Sequence, residues 1–158
     1  MIIFSDVDGV LTDGCYYQNE NLEITKGFST RDFHIINKFS EQGFKFVFLT
    51  ASQDACTKHK FTSYGLNLVC NCQNKKDAIV NLCDMHEVAL ADCIFVGDGP
   101  QDLQAMLLCG RSFCPHDASS VVKNSAYVKR LNSCGGRGVI DEMLYRCFKE
   151  QYEKILLS

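Results

Sequence analysis

Residues 2–14 read IIFSDVDGVLTDG, and this stretch decides the fold. Ile2 to Phe4 is a short apolar run that opens a strand, and the strand ends in a cluster of acidic and small residues, Asp6-Val7-Asp8-Gly9. The same grammar recurs further along. Phe44 to Leu49 is an apolar run ending in Thr50, and Cys93 to Val96 is another, ending in Gly97-Asp98-Gly99-Pro100-Gln101-Asp102. Short apolar runs separated by amphipathic segments are the signature of a parallel sheet flanked by helices. Reactive groups at the carboxyl ends of several such strands meet at one edge of the sheet.

Working outward, Thr30 to Gln42 reads as a helix, with Ser29 and Asp32 suited to its start and Gly43 to its end. Gln53 to Tyr64 reads as a second helix, stopped by Gly65, and Leu66 to Val69 as a short strand. Lys75 to about His86 follows as a helix with Ala78, Ile79, Leu82 and Cys83 on one face. A helix from Pro100 to Leu108, strands at Arg111 to Phe113 and near Tyr127, and a last helix from Val139 to Leu157 complete the series. Gly14 to Phe28 breaks the alternation. Tyr16-Tyr17, the polar run Gln18 to Asn21 and Leu22-Glu23-Ile24 predict a β-hairpin inserted after the first strand.

The chain has 158 residues, 46% of them apolar, enough for one sizeable core and too few for two large domains, so residues 1–158 are expected to form a single domain. A net charge of −3, with no basic tail, argues against nucleic acid or an anionic membrane as partner. No apolar run approaches the roughly 20 residues of a membrane span. Met1 to Phe4 is too short for a signal peptide, and the expectation is a cytoplasmic protein. The ten cysteines fit that compartment as reduced thiols, since Cys56, Cys83, Cys93, Cys109, Cys114 and Cys147 sit in apolar or helical stretches. There is no C-x-x-C pair for zinc, and His34, His59, His86 and His116 are scattered.

The chemistry gathers at the strand ends. Asp6 and Asp8 are two apart, so both can reach one site from the end of a strand. Clustered carboxylates repel one another, and a hard divalent cation, Mg²⁺ above all, neutralises them together with a substrate phosphate. A carboxylate tethered in this way can attack phosphorus, while its neighbour gives a proton to the leaving alcohol and later takes one from water. Lys76, opening a helix, can offset the charge of nucleophile and phosphoryl group.

These residues resemble the haloacid dehalogenase superfamily of phosphohydrolases, whose four motifs appear in order. D-x-D-G-x-x-T/V is Asp6 to Thr12, Thr50 follows an apolar strand, Lys76 is the lysine, and G-D-x-x-x-D is Gly97 to Asp102. The resemblance implies a Rossmann-like α/β fold with Asp6 as nucleophile and Asp8 as acid/base. It implies Gly9, Thr50, Ala51 and Lys76 as phosphate binders. Mg²⁺ would be held by the Asp6 carboxylate, the Asp8 carbonyl and Asp98, with Asp102 in support.

The resemblance narrows to the capless branch that contains the octulosonate 8-phosphate and nonulosonate 9-phosphate phosphatases and the carboxy-terminal domain of some acylneuraminate cytidylyltransferases. The segments that carry it are Asp6 to Gly14, Phe28-Ser29-Thr30-Arg31-Asp32 against F-x-x-R-D, and Gly135-Gly136-Arg137-Gly138. It implies hydrolysis of a small phosphorylated sugar acid and a homotetramer formed through the 14–28 hairpin. Where the branch usually has Gly-Arg after Thr50, this chain has Ala51-Ser52, and Gly99 stands in place of a second Asp. Arg31, Ser52 and Arg137 are the remaining substrate candidates. The contrasting expectation is a weakly active or inactive assembly module like the cytidylyltransferase tail, which would have no physical need for costly clustered carboxylates.

Overall fold

The computed structural model describes residues 1–157, and six strands form one wholly parallel sheet in the order β5-β4-β1-β6-β7-β8. They are β1 (Ile2–Asp6), β4 (Lys45–Leu49), β5 (Leu68–Val69), β6 (Ile94–Val96), β7 (Arg111–Cys114) and β8 (Val128–Arg130). In register, Phe4 lies between Val47 of β4 and Phe95 of β6. Alternate residues of β1 serve opposite faces, as the two-residue repeat of a strand requires. Ile3 packs into a cluster with Phe33, Ile36, Phe48 and Ile140, while Ile2 and Phe4 pack into another with Leu49, Ile79, Phe95 and Met106. Both faces are covered, which is why these strands read as unbroken apolar runs.

Helices α1 (Thr30–Glu41), α2 (Ala55–Ser63) and α6 (Val139–Cys147) contribute to the first cluster. Helices α3 (Lys75–Met85), α4 (Leu103–Met106) and α5 (Ser120–Lys123) contribute to the second. The local signals act as expected at α1, where Ser29 Oγ accepts the N–H of Asp32 at 3.3 Å and Gly43 adopts φ +88° past the end. The expected hairpin is present as β2 (Tyr17–Gln18) and β3 (Ile24–Thr25), paired antiparallel. Asn19 ties its turn by accepting the N–H groups of Asn21 and Glu23, both at 3.0 Å. No cap domain is present among the described residues.

Two expectations need correction. The single last helix is two, α6 and α7 (Lys149–Leu157), because Phe148 leaves helical geometry at φ −139° and ψ 46°. That break turns the Phe148 ring edge-on to Phe44, centroids 5.0 Å apart, and tertiary packing overrides a helical pattern free of Gly and Pro. The helix expected from Pro100 to Leu108 is instead one 3₁₀ turn, Pro100–Asp102, running into the short α4. All ten cysteines are free, and the Cys83 and Cys93 sulfurs lie 3.6 Å apart as packed thiols. No helix among the described residues is long and apolar enough to cross a membrane.

Candidate active site

The strand order places β1 between β4, which follows it in the chain, and β6, which comes after β5. The connecting helices α1 and α3 lie on opposite faces, so the loops diverge beyond the carboxyl end of β1 and leave a crevice. Asp6 is the last residue of β1 and is 4% exposed. Beyond it the chain coils tightly, with the Val7 carbonyl accepting the N–H groups of Val10, Leu11 and Thr12. Gly9, at φ +86°, is required there, since a Cβ would fall 2.1 Å from Asp98 Oδ2. Gly135 and Gly136 support the loop from below. A Cβ on Gly135 would strike the Gly9 carbonyl oxygen at 2.3 Å, and the Gly136 N–H donates to the Val10 carbonyl at 2.9 Å.

Carboxylate oxygens of Asp6, Asp98 and Asp102 lie within 4.8 Å of one another. Lys75 Nζ stands 2.9 Å from Asp6 Oδ1 and 2.5 Å from Asp102 Oδ1. The other oxygen of Asp102 accepts the N–H groups of Asp98 and Gly99, both at 3.1 Å, so Asp102 is occupied in shaping the loop. Asp98 Oδ1, in contrast, is buried without a partner. Burial first, and then the charge of Asp102, push the Asp6 carboxyl well above the usual range against the pull of Lys75. The same two causes raise Asp98 to about 6. Burial opposes the charge on Lys75, but Asp6 and Asp102 outweigh it and raise its pKa. Three carboxylates against one lysine leave two negative charges in excess, and the donors are all oxygens. This set fits a hard divalent cation, with the unpartnered Asp98 oxygen and Asp6 as the side chains free to take it.

The cluster opens into a pocket of about 200 Å³ that is also lined by Asp8, Gly14, Thr50, Ala51, Ser52 and Gln101. Thr50 Oγ1 accepts the Ser52 N–H at 3.0 Å, which leaves the hydroxyl proton available to a ligand. Thr12 Oγ1 donates to Asp8 Oδ1 at 3.2 Å. The N–H of Gly9 turns to the Thr12 hydroxyl at 3.4 Å, so the structure gives Gly9 the task of admitting Asp98.

Comparison with known proteins agrees with this fold. Residues 51–142 match the family described as haloacid dehalogenase-like hydrolase. The octulosonate 8-phosphate phosphatase KdsC of Haemophilus influenzae is 31% identical over 142 residues, covering 89% of this chain and 78% of that protein. The chain belongs to the haloacid dehalogenase-like hydrolases. A cobalt-bound structure of the octulosonate 8-phosphate phosphatase from Haemophilus influenzae superposes with a TM-score of 0.89 and 26% identity, covering 99% of this chain and 96% of that one. The octulosonate 8-phosphate phosphatase of Moraxella catarrhalis shares the fold with a TM-score of 0.92 at 21% identity, covering 99% of this chain and 91% of that one.

As a haloacid dehalogenase-like hydrolase, the chain brings together Asp6, Asp8, Thr50, Ala51, Ser52 and Asp98, with Asp102 behind them. The lysine needs correction. Lys75, and not Lys76, reaches the carboxylates; Lys76 is exposed and lines an adjoining groove with Gln73, Asn74 and Gln104. Helical phase could have found it, because residues 75, 79 and 83 fall on one face and Ile79 and Cys83 are its buried apolar members. Arg31 and Arg137 line a separate pocket of about 370 Å³ with Phe28, Ser29, Thr30 and Gly136, which shares no residue with the acidic pocket. What the F-x-x-R-D segment does locally falls to Asp32, whose Oδ1 accepts the Asp141 N–H at 2.9 Å across the start of α6. Burial drives its carboxyl up to about 6.

One further residue was missed altogether. Lys26, just past β3, buries its side chain to 4% exposure and reaches Asp8 at 2.9 Å and Asp54 at 2.7 Å. No local sequence signal marks it, since a lysine at the root of a polar hairpin is ordinarily solvated.

Proposed function

We propose that this chain is a Mg²⁺-dependent phosphomonoester hydrolase of a small phosphorylated sugar acid, of the octulosonate 8-phosphate or nonulosonate 9-phosphate type, working through an aspartyl-phosphate at Asp6. The observation that carries the reading is the meeting of Asp6, Asp98 and Lys75 with Asp8 and Thr50 around one pocket at the carboxyl ends of β1, β4 and β6. The substrate class is supported by the 31% identity with the Haemophilus enzyme over most of both chains. Mg²⁺ suits a site built from carboxylates, and the similar structure from Haemophilus influenzae is a cobalt-bound form.

In this reading Asp6 attacks phosphorus and Asp8 delivers a proton to the departing sugar oxygen. Asp8 then takes a proton from the water that hydrolyses the aspartyl-phosphate. The Thr50 hydroxyl and Lys75 hold the phosphoryl oxygens, and Lys75 spans nucleophile and phosphoryl group alike. When bound, Mg²⁺ supplies the charge that lets Asp6 and Asp98 stay ionised side by side. An inactive assembly module is disfavoured, because burying three carboxylates without a chemical use is costly.

The proposal includes a homotetramer formed through the 14–28 hairpin. Tyr16, Tyr17 and Leu22, at the base and the turn of the hairpin, are 60%, 68% and 73% exposed, more apolar surface than a lone hairpin can use. The test is phosphate release by purified protein with Mg²⁺ from octulosonate 8-phosphate and nonulosonate 9-phosphate, with Asp6→Asn as control and light scattering for mass. Release from neither substrate by the wild type, or undiminished release by Asp6→Asn, would sink the catalytic reading; a monomer at micromolar concentration would sink the tetramer.

A further inference from the structure

Lys26 has more to do than anchor a hairpin. A buried ammonium costs several kcal/mol unless it is paired and hydrogen-bonded, and this one is fully engaged. Its Nζ lies 2.9 Å from Asp8 Oδ1, 3.0 Å from Asp8 Oδ2, 2.7 Å from Asp54 Oδ2 and 3.2 Å from Thr57 Oγ1. Asp54 is itself fixed, accepting from Ser52 Oγ at 2.6 Å and from the Thr57 N–H at 2.7 Å as the N-cap of α2. Asp54 therefore balances the lysine's charge from a rigid position, which leaves Lys26 as a hydrogen-bond donor toward Asp8. From the other side Thr12 Oγ1 donates to Asp8 Oδ1. Asp8, 32% exposed at the pocket wall, would otherwise be free to rotate; gripped from both sides, it has one orientation.

We propose that Lys26 is a positioning residue for Asp8, aiming its carboxyl at the leaving oxygen, so that the inserted hairpin completes the catalytic apparatus of its own chain. The inference rests on Asp8 being the acid/base. In the step concerned, Asp6 forms a bond to phosphorus, and the bond from phosphorus to the sugar oxygen breaks with its electron pair staying on that oxygen. That oxygen takes the proton from Asp8. One Asp8 oxygen can remain on Lys26 while the other carries the proton, so the grip persists through the transfer.

The experiment compares kcat/KM on two esters, because that ratio reports the steps up to departure of the leaving group. Octulosonate 8-phosphate releases an alkoxide that needs a proton, whereas p-nitrophenyl phosphate releases a phenolate that leaves without one. General-acid help is worth about 10²- to 10⁴-fold. Lys26→Met is expected to lose on the order of tenfold or more on the sugar phosphate beyond its loss on the aryl ester, and Asp8→Asn to show the same selectivity. The double variant is expected to be no slower than Asp8→Asn alone, since positioning an absent acid is worth nothing. If Lys26→Met fails to fold, Asp54→Asn serves, because asparagine caps a helix as well as aspartate while the charge that holds Lys26 is gone. Equal losses on both esters, or additive losses in the double variant, would overturn the proposal and leave the phosphatase reading standing. A wild type inactive on both esters, or an Asp8→Asn variant without selectivity, would strike the catalytic reading itself and take the Lys26 role with it.

Discussion

Replacing Lys75 with methionine preserves the length of the side chain and removes its charge. The Lys75 side chain is 3% exposed, and its Nζ stands 2.9 Å from Asp6 and 2.5 Å from Asp102. At an effective dielectric of about 20, one unit pair at the longer distance attracts by roughly 6 kcal/mol before desolvation is subtracted. Removing one partner of a buried pair, which strands the other charge, costs about 3–5 kcal/mol. For a chain of this size that lowers the melting temperature by on the order of 10 °C. Turnover should fall about 10²- to 10³-fold, the usual loss when a fixed donor to the reacting oxygens is removed. Mg²⁺ should stabilise the Met variant more than it stabilises the wild type, since the acidic cluster then has no resident cation. Lys76→Met, at an exposed position, should stay within about 0.5 kcal/mol of wild type and keep near-normal turnover. The assay is thermal denaturation with and without Mg²⁺, paired with phosphate release, on both variants. An inactive Lys76→Met protein beside an active Lys75→Met protein would refute the geometry.

Gly9→Ala should abolish turnover by displacing Asp98, because its Cβ falls 2.1 Å from Asp98 Oδ2 at a backbone φ of +86°; normal metal-dependent activity in a folded Ala variant would contradict the packing. Chelation should stop phosphate release and raise the mutual repulsion of Asp6 and Asp98, and titrating Mg²⁺ back should restore activity; full turnover in chelator would count against the metal site. Asp32 should make stability depend on pH. Its folded pKa of about 6 lies above the unfolded value, so its contribution is fully present below about pH 4 and is lost as pH rises through 6. A shift of about two units corresponds to roughly 3 kcal/mol. Asp32→Asn should reduce the slope of the stability profile between pH 4 and 7, where Asp6 and Asp98 also contribute, and denaturant melts showing an unchanged slope there would exclude a contribution from Asp32.

What was legible in the sequence was whatever short-range physics fixes. The runs at Ile2 to Phe4 and Phe44 to Leu49 are apolar because both faces of those strands are covered, and Ser29 and Gly43 mark the ends of α1 through their own backbone demands. The placing of Asp6 at the end of β1 and of Asp98 just past β6 was legible from the apolar runs that precede them. The choice between Lys75 and Lys76 was already harder, since two lysines open one helix and only phase with Ile79 and Cys83 separates them. The break at Phe148 and the burial of Lys26 were not legible at all, because each is set by residues distant in the chain, Phe44 in one case and Asp8 and Asp54 in the other.

Arg31 and Arg137 teach a different lesson. Their neighbours Asp32, Gly135 and Gly136 carry the structural work, Asp32 by accepting an N–H at the start of α6 and the glycines by passing beneath residues 9–13. A motif therefore holds together in sequence even where only some of its members act on one site. The two arginines line a pocket of their own that shares no residue with the acidic one. Lys75 is the cation that lines the acidic pocket, and position 52 offers it only a hydroxyl, whose proton Asp54 already takes at 2.6 Å. Asp54 in turn binds Lys26, so the residue at 52 is tied to how the hairpin docks and to how Asp8 is held. Ser52→Arg would set a second cation beside Asp54 in competition with Lys26, and selectivity and acid/base geometry should then shift together.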